Sequence, residues 1–102
     1  MDLSIIVVNW NTRDLLRDCL ESVEETVRDL SYEVIVVDNA STDGSAAMLR
    51  ERFPSVRLIE NDENRGFGAA NNQALRIMKG RYALLLNSDT LLTESSVTEL
   101  FT

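Results

Sequence analysis

Four short polar clusters hold the groups best suited to chemistry: Asn9-Trp10-Asn11, Asp38-Asn39, Asn61-Asp62 and Asn87-Ser88-Asp89. A carboxylate accepts hydrogen bonds or binds a cation, whereas an amide both donates and accepts. If Asp38 and Asp89 share a site, one acid can take the N–H of a pyrimidine base or a ribose hydroxyl. The other can hold a divalent cation, because Mg²⁺ commonly uses one or two carboxylates plus substrate phosphates. Such a cation would bridge a diphosphate and offset the charge that develops as it leaves. Arg65, between Asn64 and Gly66, offers a planar donor fork to a base or a phosphate. Gly66 and Gly68 allow close backbone approach, but two glycines before a helix are a weak signal. The chain contains no histidine, which removes the commonest general base and metal ligand.

Each cluster follows a short apolar run. Residues 3–8, 33–37, 56–60 and 82–86 read as strands, rich in branched side chains and bounded by turn-forming residues. Between the first two, Leu16, Leu20, Val23, Val27 and Leu30 form one helical stripe, with Asn11 or Thr12 as N-cap. A short second helix stops at Phe53-Pro54. Phe67, Ala70, Ala74 and Ile77 mark a third, with Lys79 in its last turn and Gly80 just past its end. Residues 91–102 suit another helix, capped at Thr93.

Strands alternating with helices imply an α/β fold: an open parallel sheet with right-handed crossovers and helices on both faces. The expected strand order is 3-2-1-4, with a switch point between the first and fourth strands. In such sheets ligands bind in the crevice beyond the carboxyl ends of the strands. All four polar clusters fall there. Singly, each is an ordinary turn, since Asn and Asp favour turns; jointly they point to a ligand crevice. The third strand, interrupted by polar residues, is expected to be the least buried and to lie at an edge. The fourth is too apolar to make a good exposed edge, with residues 84–86 expected in the core, which suggests that the natural protein continues and covers it.

Composition narrows the function further. The 102 residues suffice for one small domain, and a net charge of −7 argues against a nucleic-acid partner. Cys19 is the only cysteine, so no internal disulfide can form, and its place on an apolar helix face reads as a buried, inert thiol. No apolar run approaches the ~20 residues of a membrane span. The reading is therefore a cytoplasmic protein, with membrane association only through a C-terminal part beyond residue 102.

Val7-Val8-Asn9-Trp10-Asn11, the run from Val36-Val37-Asp38-Asn39 to Asp43-Gly44, the run from Asn64-Arg65-Gly66 to Asn71-Asn72, and Leu84-Leu85-Leu86-Asn87-Ser88-Asp89-Thr90 occur in that order. Together they resemble the N-terminal half of an inverting family 2 glycosyltransferase of GT-A fold, with the rhamnosyltransferase-like branch as the nearest match. The resemblance covers nearly the whole chain, so residues 1–102 read as the nucleotide-sugar-binding N-terminal part of such a domain. It implies a UDP- or dTDP-linked nucleotide-diphospho-sugar donor, Mg²⁺ or Mn²⁺, a glycan or lipid-linked acceptor, and bacterial polysaccharide or cell-envelope glycan synthesis. By motif position, Asp38 would contact the base edge, Val8, Asn9 and Trp10 would line the base pocket, and Arg65 would lie close to the base. Asn87 and Asp89 would occupy the family's metal-binding Asp-x-Asp, with Asp89 as the metal ligand. Asn87 departs from that pattern and leaves one carboxylate where the common form has two. The general base is expected beyond residue 102; Asp43, Glu63 and Glu94 are available carboxylates with no claim to that role.

Other readings share the alternating pattern. A NAD-type Rossmann domain wants glycines after the first strand, where Asn9-Trp10-Asn11 has none. A phosphoacceptor receiver wants an acidic pair there and its phosphorylated Asp after the third strand. A nucleotide-binding α/β module without turnover fits the chain taken alone.

Overall fold

The computed structural model describes residues 1–93. The elements run β1 (Leu3–Asn9), α1 (Arg13–Thr26), β2 (Tyr32–Asn39), α2 (Ser45–Arg52), β3 (Arg57–Asn61), α3 (Phe67–Ile77) and β4 (Tyr82–Asn87). They build one parallel sheet in the order β3-β2-β1-β4, as the alternation of patterns implied.

β1 is central and closed in on every side. Leu3, Ile5 and Val7 face one side of the sheet and join Leu16, Leu20 and Val23 of α1 and Leu49 of α2. Ile6 faces the other side and meets Ala70 and Ala74 of α3. This double burial explains a near-continuous apolar run in place of strict alternation. Each fully buried aliphatic side chain contributes roughly 1.5–3 kcal/mol of transfer free energy. The face change also follows from the order. With right-handed crossovers, moving from β1 toward β3 puts α1 and α2 on one face, and doubling back to β4 puts α3 on the other.

Several boundaries differ from the sequence expectation. All four strands run one or two residues into their polar tips, because the ladder continues: Asn9 pairs with Asp38, Asp38 with Glu60 and Asn39 with Asn61. α1 stops at Thr26, so Leu30 packs on the core from beyond the helix. α3 stops at Ile77, with Met78 extended, so Lys79 and Gly80 lie outside it. Gly80 is needed for space rather than for a left-handed turn. A Cβ there would sit 2.5 Å from the backbone carbon of Leu3 and the backbone nitrogen of Ser4.

β4 is the largest departure. Of residues 84–86 only Leu86 is buried, while Leu85 is 46% exposed and Tyr82 is 55% exposed. β3 lies at an edge as expected, but β4, at the other edge, is the most open strand, because α3 covers β1 and β2 instead. The helix expected over residues 91–102 falls largely outside the described residues; Leu91, Leu92 and Thr93 are not helical. Leu92 packs against the α1 side of the core and donates its N–H to Ser22 Oγ at 3.0 Å.

A closed polar cluster holds the amino ends of the strands. Glu33, whose side chain is 7% exposed, accepts from Ser4 Oγ at 2.6 Å, the Lys79 N–H at 2.6 Å and Arg57 Nη1 at 3.0 Å. Gly80 N–H completes it by donating to Ser4 Oγ at 2.8 Å. Burial alone would favour the neutral acid. The bonds from Ser4, Lys79 and Arg57 outweigh it and hold the Glu33 carboxyl below its ordinary 4.5. The folded form thus binds this proton less tightly than the unfolded chain, so the stabilisation is complete above 4.5 and is lost as pH falls through the lower folded value. Glu33→Gln is expected to lower stability at neutral pH by about 1–3 kcal/mol and to flatten its decline below pH 4.5, read as urea midpoints across a pH series.

Candidate functional site

At the carboxyl ends of β2, β1 and β4, register alone brings the predicted residues together. Asn9 stands beside Asp38, and Asn87 stands beside Val8. Asp38 and the Asn87–Asp89 segment therefore flank the tip of β1 on the same rim of the sheet.

Asp38 is 2% exposed, and both its oxygens are engaged. Oδ1 accepts from Asn9 Nδ2 at 2.9 Å and Ser41 Oγ at 2.7 Å, and Oδ2 accepts the Ser41 N–H at 3.0 Å. An ionised carboxylate has about four acceptor positions, so three bonds leave one for a ligand N–H or hydroxyl. Asn9 is fully buried, and its amide is used within the rim rather than offered to solvent. Its Nδ2 also reaches Ser41 Oγ at 3.3 Å, and its Oδ1 accepts from Thr12 Oγ1 at 2.6 Å. Val8 is partly buried, whereas Trp10 is 55% exposed.

The opposite flank has the reverse character. Asn87 and Asp89 are exposed, and their side chains have no hydrogen-bond or ion-pair partner among the described residues. Among the described residues there is also no group of three His, Cys, Asp or Glu able to hold a metal ion. One free carboxylate beside one free amide suits a hydrated Mg²⁺ or Mn²⁺ shared with ligand phosphates, and is too sparse to cage a cation alone. Burial, with the Asp89 charge as a lesser cause, pushes the nearby Cys19 thiol up to about 11. Cys19 is completely buried and stays an inert thiol, as its helix position implied.

Arg65 is placed by its backbone. Asn39 Oδ1 accepts its N–H at 3.3 Å, and Asn39 Nδ2 donates to Gly66 O at 3.3 Å. Asn39 is itself fixed by Asn61, which exchanges two bonds with Gln73 at 2.8 and 2.9 Å. The Arg65 guanidinium is exposed, with no partner among the described residues. The polar tip of β3 thus supports this loop and does not enter the acid pair's flank.

Sequence reasoning placed Thr12 at the cap of α1 and Ser88 in a polar cluster but gave neither a partner, and it missed Ser41. Hydroxyls are common in turns and carry no distinctive spacing, so nothing in the chain order marks which ones meet. Asp43 was noted only as an available carboxylate. It joins the starts of two helices, accepting the Arg13 N–H at 2.9 Å, the Ser45 N–H at 3.1 Å and the Ser45 hydroxyl at 2.5 Å. Burial opposes its ionisation, but these bonds prevail and lower its pKa below 3.8. Beside it lies an open concavity of about 350 Å³ lined by Asn11, Thr12, Arg13, Asp14, Leu15 and Asp43. A cavity of about 410 Å³ at the amino ends of the strands, with Tyr32, Phe53 and Arg57 in its wall, is at the wrong end for this rim.

Known proteins can now be set beside this geometry. The family model described as Glycosyl transferase family 2 matches residues 4–102. The chain belongs to that family. It is 39% identical over 94 residues to the poly(ribitol-phosphate) beta-glucosyltransferase of Bacillus spizizenii, a match covering 87% of this chain and 15% of that protein. The mannosyltransferase PcManGT from Pyrobaculum calidifontis, solved with GDP-Man and Mn²⁺, superposes with a TM-score of 0.84 at 32% identity over 93% of this chain and 30% of that one. S. aureus TarS 1-349 superposes with a TM-score of 0.87 at 24% identity over 99% of this chain and 31% of that one, a likeness of fold. This GT-A-type sheet thus spans well under half of each of these proteins. No helix among the described residues is long and apolar enough to cross a membrane.

Asp43→Ala is expected to cost about 0.5–2 kcal/mol, the range for losing a helix cap, with the loss seen in thermal or urea unfolding. Its lowered pKa gives the same sign as Glu33. The contribution is present above 3.8 and vanishes as pH falls through the folded value, so the variant and the wild type converge in acid.

Proposed function

We propose that this chain is the nucleotide-diphospho-sugar-binding part of a glycosyltransferase that moves a sugar from a UDP- or dTDP-linked donor to an acceptor hydroxyl. The observation that carries the reading is the pairing of a buried, pre-oriented acid with one open acceptor position and an exposed, unpartnered acid across the tip of β1. Asp38 takes the imide N–H of the pyrimidine, and Trp10 and Val8 form the wall beside it. Asn9 acts by holding Asp38. Arg65 approaches the base or phosphates from the α3 side. Uracil and thymine present the same N–H, so these residues accept either.

Asp89, helped by Asn87, would hold Mg²⁺ or Mn²⁺, with the donor's phosphates completing too sparse a protein ligand set. When bound, that cation offsets the charge on the departing nucleoside diphosphate. The acceptor oxygen attacks the anomeric carbon in line with the leaving group, which inverts the configuration, and a base supplied outside these residues takes its proton. The chain alone is expected to bind donor nucleotide and not to turn it over. The names of the family relatives support a role in bacterial cell-wall or polysaccharide glycan synthesis. Within the family, the rhamnosyltransferase-like branch rests on the motif wording alone.

Titration with UDP, dTDP and NAD, with and without Mn²⁺, tests the reading. UDP or dTDP is expected to bind more tightly with Mn²⁺; binding of NAD in preference to both overturns it. Asp38→Ala is expected to weaken uridine and UDP by about tenfold or more, the scale of one charge-assisted hydrogen bond. Because Asp38 also fastens Ser41, the comparison is made below the variant's unfolding transition. Asp89→Ala is expected to keep metal-free UDP affinity and lose the Mn²⁺ response; a full Mn²⁺ response in that variant removes Asp89 from the site.

A further inference from the structure

Thr12 stands at the N-cap of α1, yet its hydroxyl makes no capping bond to the helix. That duty falls on Asp43, which accepts the Arg13 N–H. The Thr12 hydroxyl instead lies 2.6 Å from Asn9 Oδ1 and 2.8 Å from Ser88 Oγ. Counting protons sets the direction of every bond. Asn9 Oδ1 is an acceptor, because its Nδ2 faces the Asp38 carboxylate and Ser41. Thr12 has one proton and gives it to Asn9, so it accepts from Ser88. Ser41 Oγ gives its one proton to Asp38 and accepts from Asn9 Nδ2 and the Asn11 N–H. The result is a one-way chain, Ser88 to Thr12 to Asn9 to Asp38, with every donor aimed toward the buried carboxylate. Such chains strengthen cooperatively when the terminal acceptor is charged.

Ser88 sits between Asn87 and Asp89, so the chain ties the exposed acid's segment to the buried acid across β1. We propose that Thr12 is a positioning residue that couples nucleotide recognition at Asp38 to cation binding at Asp89. This inference rests on the nucleotide reading proposed above. It adds that the two flanks do not act independently. A ligand on Asp38 orders the buried end of the chain, and Thr12 passes that order to the Ser88 hydroxyl, which holds the 87–89 segment where its carboxylate meets the cation. Without the Thr12 hydroxyl, Asn9 Oδ1 has no donor among the described residues, its amide can turn, and the Ser88 hydroxyl loses its tie to the tip of β1.

The test is a thermodynamic cycle on the protein: UDP affinity with and without Mn²⁺, in wild type, Thr12→Val, Thr12→Ser and Ser88→Ala. Thr12→Val is close to isosteric and is expected to reduce the Mn²⁺ enhancement of UDP affinity by at least about fivefold, the lower end of ordinary site-to-site coupling. Thr12→Ser keeps the hydroxyl and is expected to keep the coupling. Ser88→Ala is expected to lose it as Thr12→Val does, and the double variant to lose no more than either alone, because both cut one chain. A merely structural threonine would lower affinity equally with and without Mn²⁺. An unchanged Mn²⁺ enhancement in both Thr12→Val and Ser88→Ala, with wild type binding UDP, overturns this inference and leaves the nucleotide reading standing. Independent, multiplying effects in the double variant also overturn it. Wild type that binds no UDP in Mn²⁺ overturns the nucleotide reading, and this inference with it.

Discussion

The amide of Asn9 is the constraint from which the rest of the rim follows. It lies at the tip of the central strand, wholly removed from water. A buried side-chain amide without partners costs a large part of its hydration, so every one of its groups must be met. Asp38, Ser41 and Thr12 meet them. Satisfying one residue thereby draws the ends of β2, β1 and β4 into a single hydrogen-bonded layer. Parting β2 from β1 would strip Asp38 and Ser41 from the amide, and parting β4 from β1 would break the bond between Ser88 and Thr12.

The two ends of the sheet resolve the same problem of buried polarity in opposite ways. At the amino end, Glu33 is surrounded by Ser4, Arg57, Lys79 and Gly80, and the cluster closes on itself. Such an arrangement fastens strands. At the carboxyl end, Asp38 keeps one acceptor position, and Asn87, Asp89, Trp10 and Arg65 face solvent. Parallel strands make the difference possible, because all their tips arrive on one side and no hairpin turn covers them.

Strain and packing mark the same rim. Ala40 adopts a φ of +65° and Asn11 a φ of +52°, immediately after the tips of β2 and β1. The left-handed region costs an alanine about 1–2 kcal/mol, whereas an asparagine tolerates it better. The turn at Ala40 lets Ser41 fold back so that its N–H and hydroxyl both reach Asp38. Local backbone strain is thus set against the two bonds from Ser41 that orient the acid.

Strand order, the helix on each face and the shared rim were legible in the chain because each depends on periodicity. Residues 3–8 are apolar at every core position but Ser4, and Leu16, Leu20 and Val23 recur at helical spacing, so burial is written into the pattern. Gly80 was misread as a helix terminator because its need, space against the backbone of Leu3 and Ser4, comes from a strand far away in sequence. Leu85 was assigned to the core because its composition says apolar, while its exposure follows from α3 packing over β1 and β2 rather than over β4. Asp38 and Asp89 were both marked as acids at strand ends, but not their opposite states. Only the packed fold surrounds one with Asn9 and Ser41 and leaves the other open. Residue type and spacing therefore determined which groups reach the rim, and tertiary contacts decided which remain free there, since hydrogen-bond partners drawn from Thr12, Ser41 and Ser88 meet only once three strands are side by side.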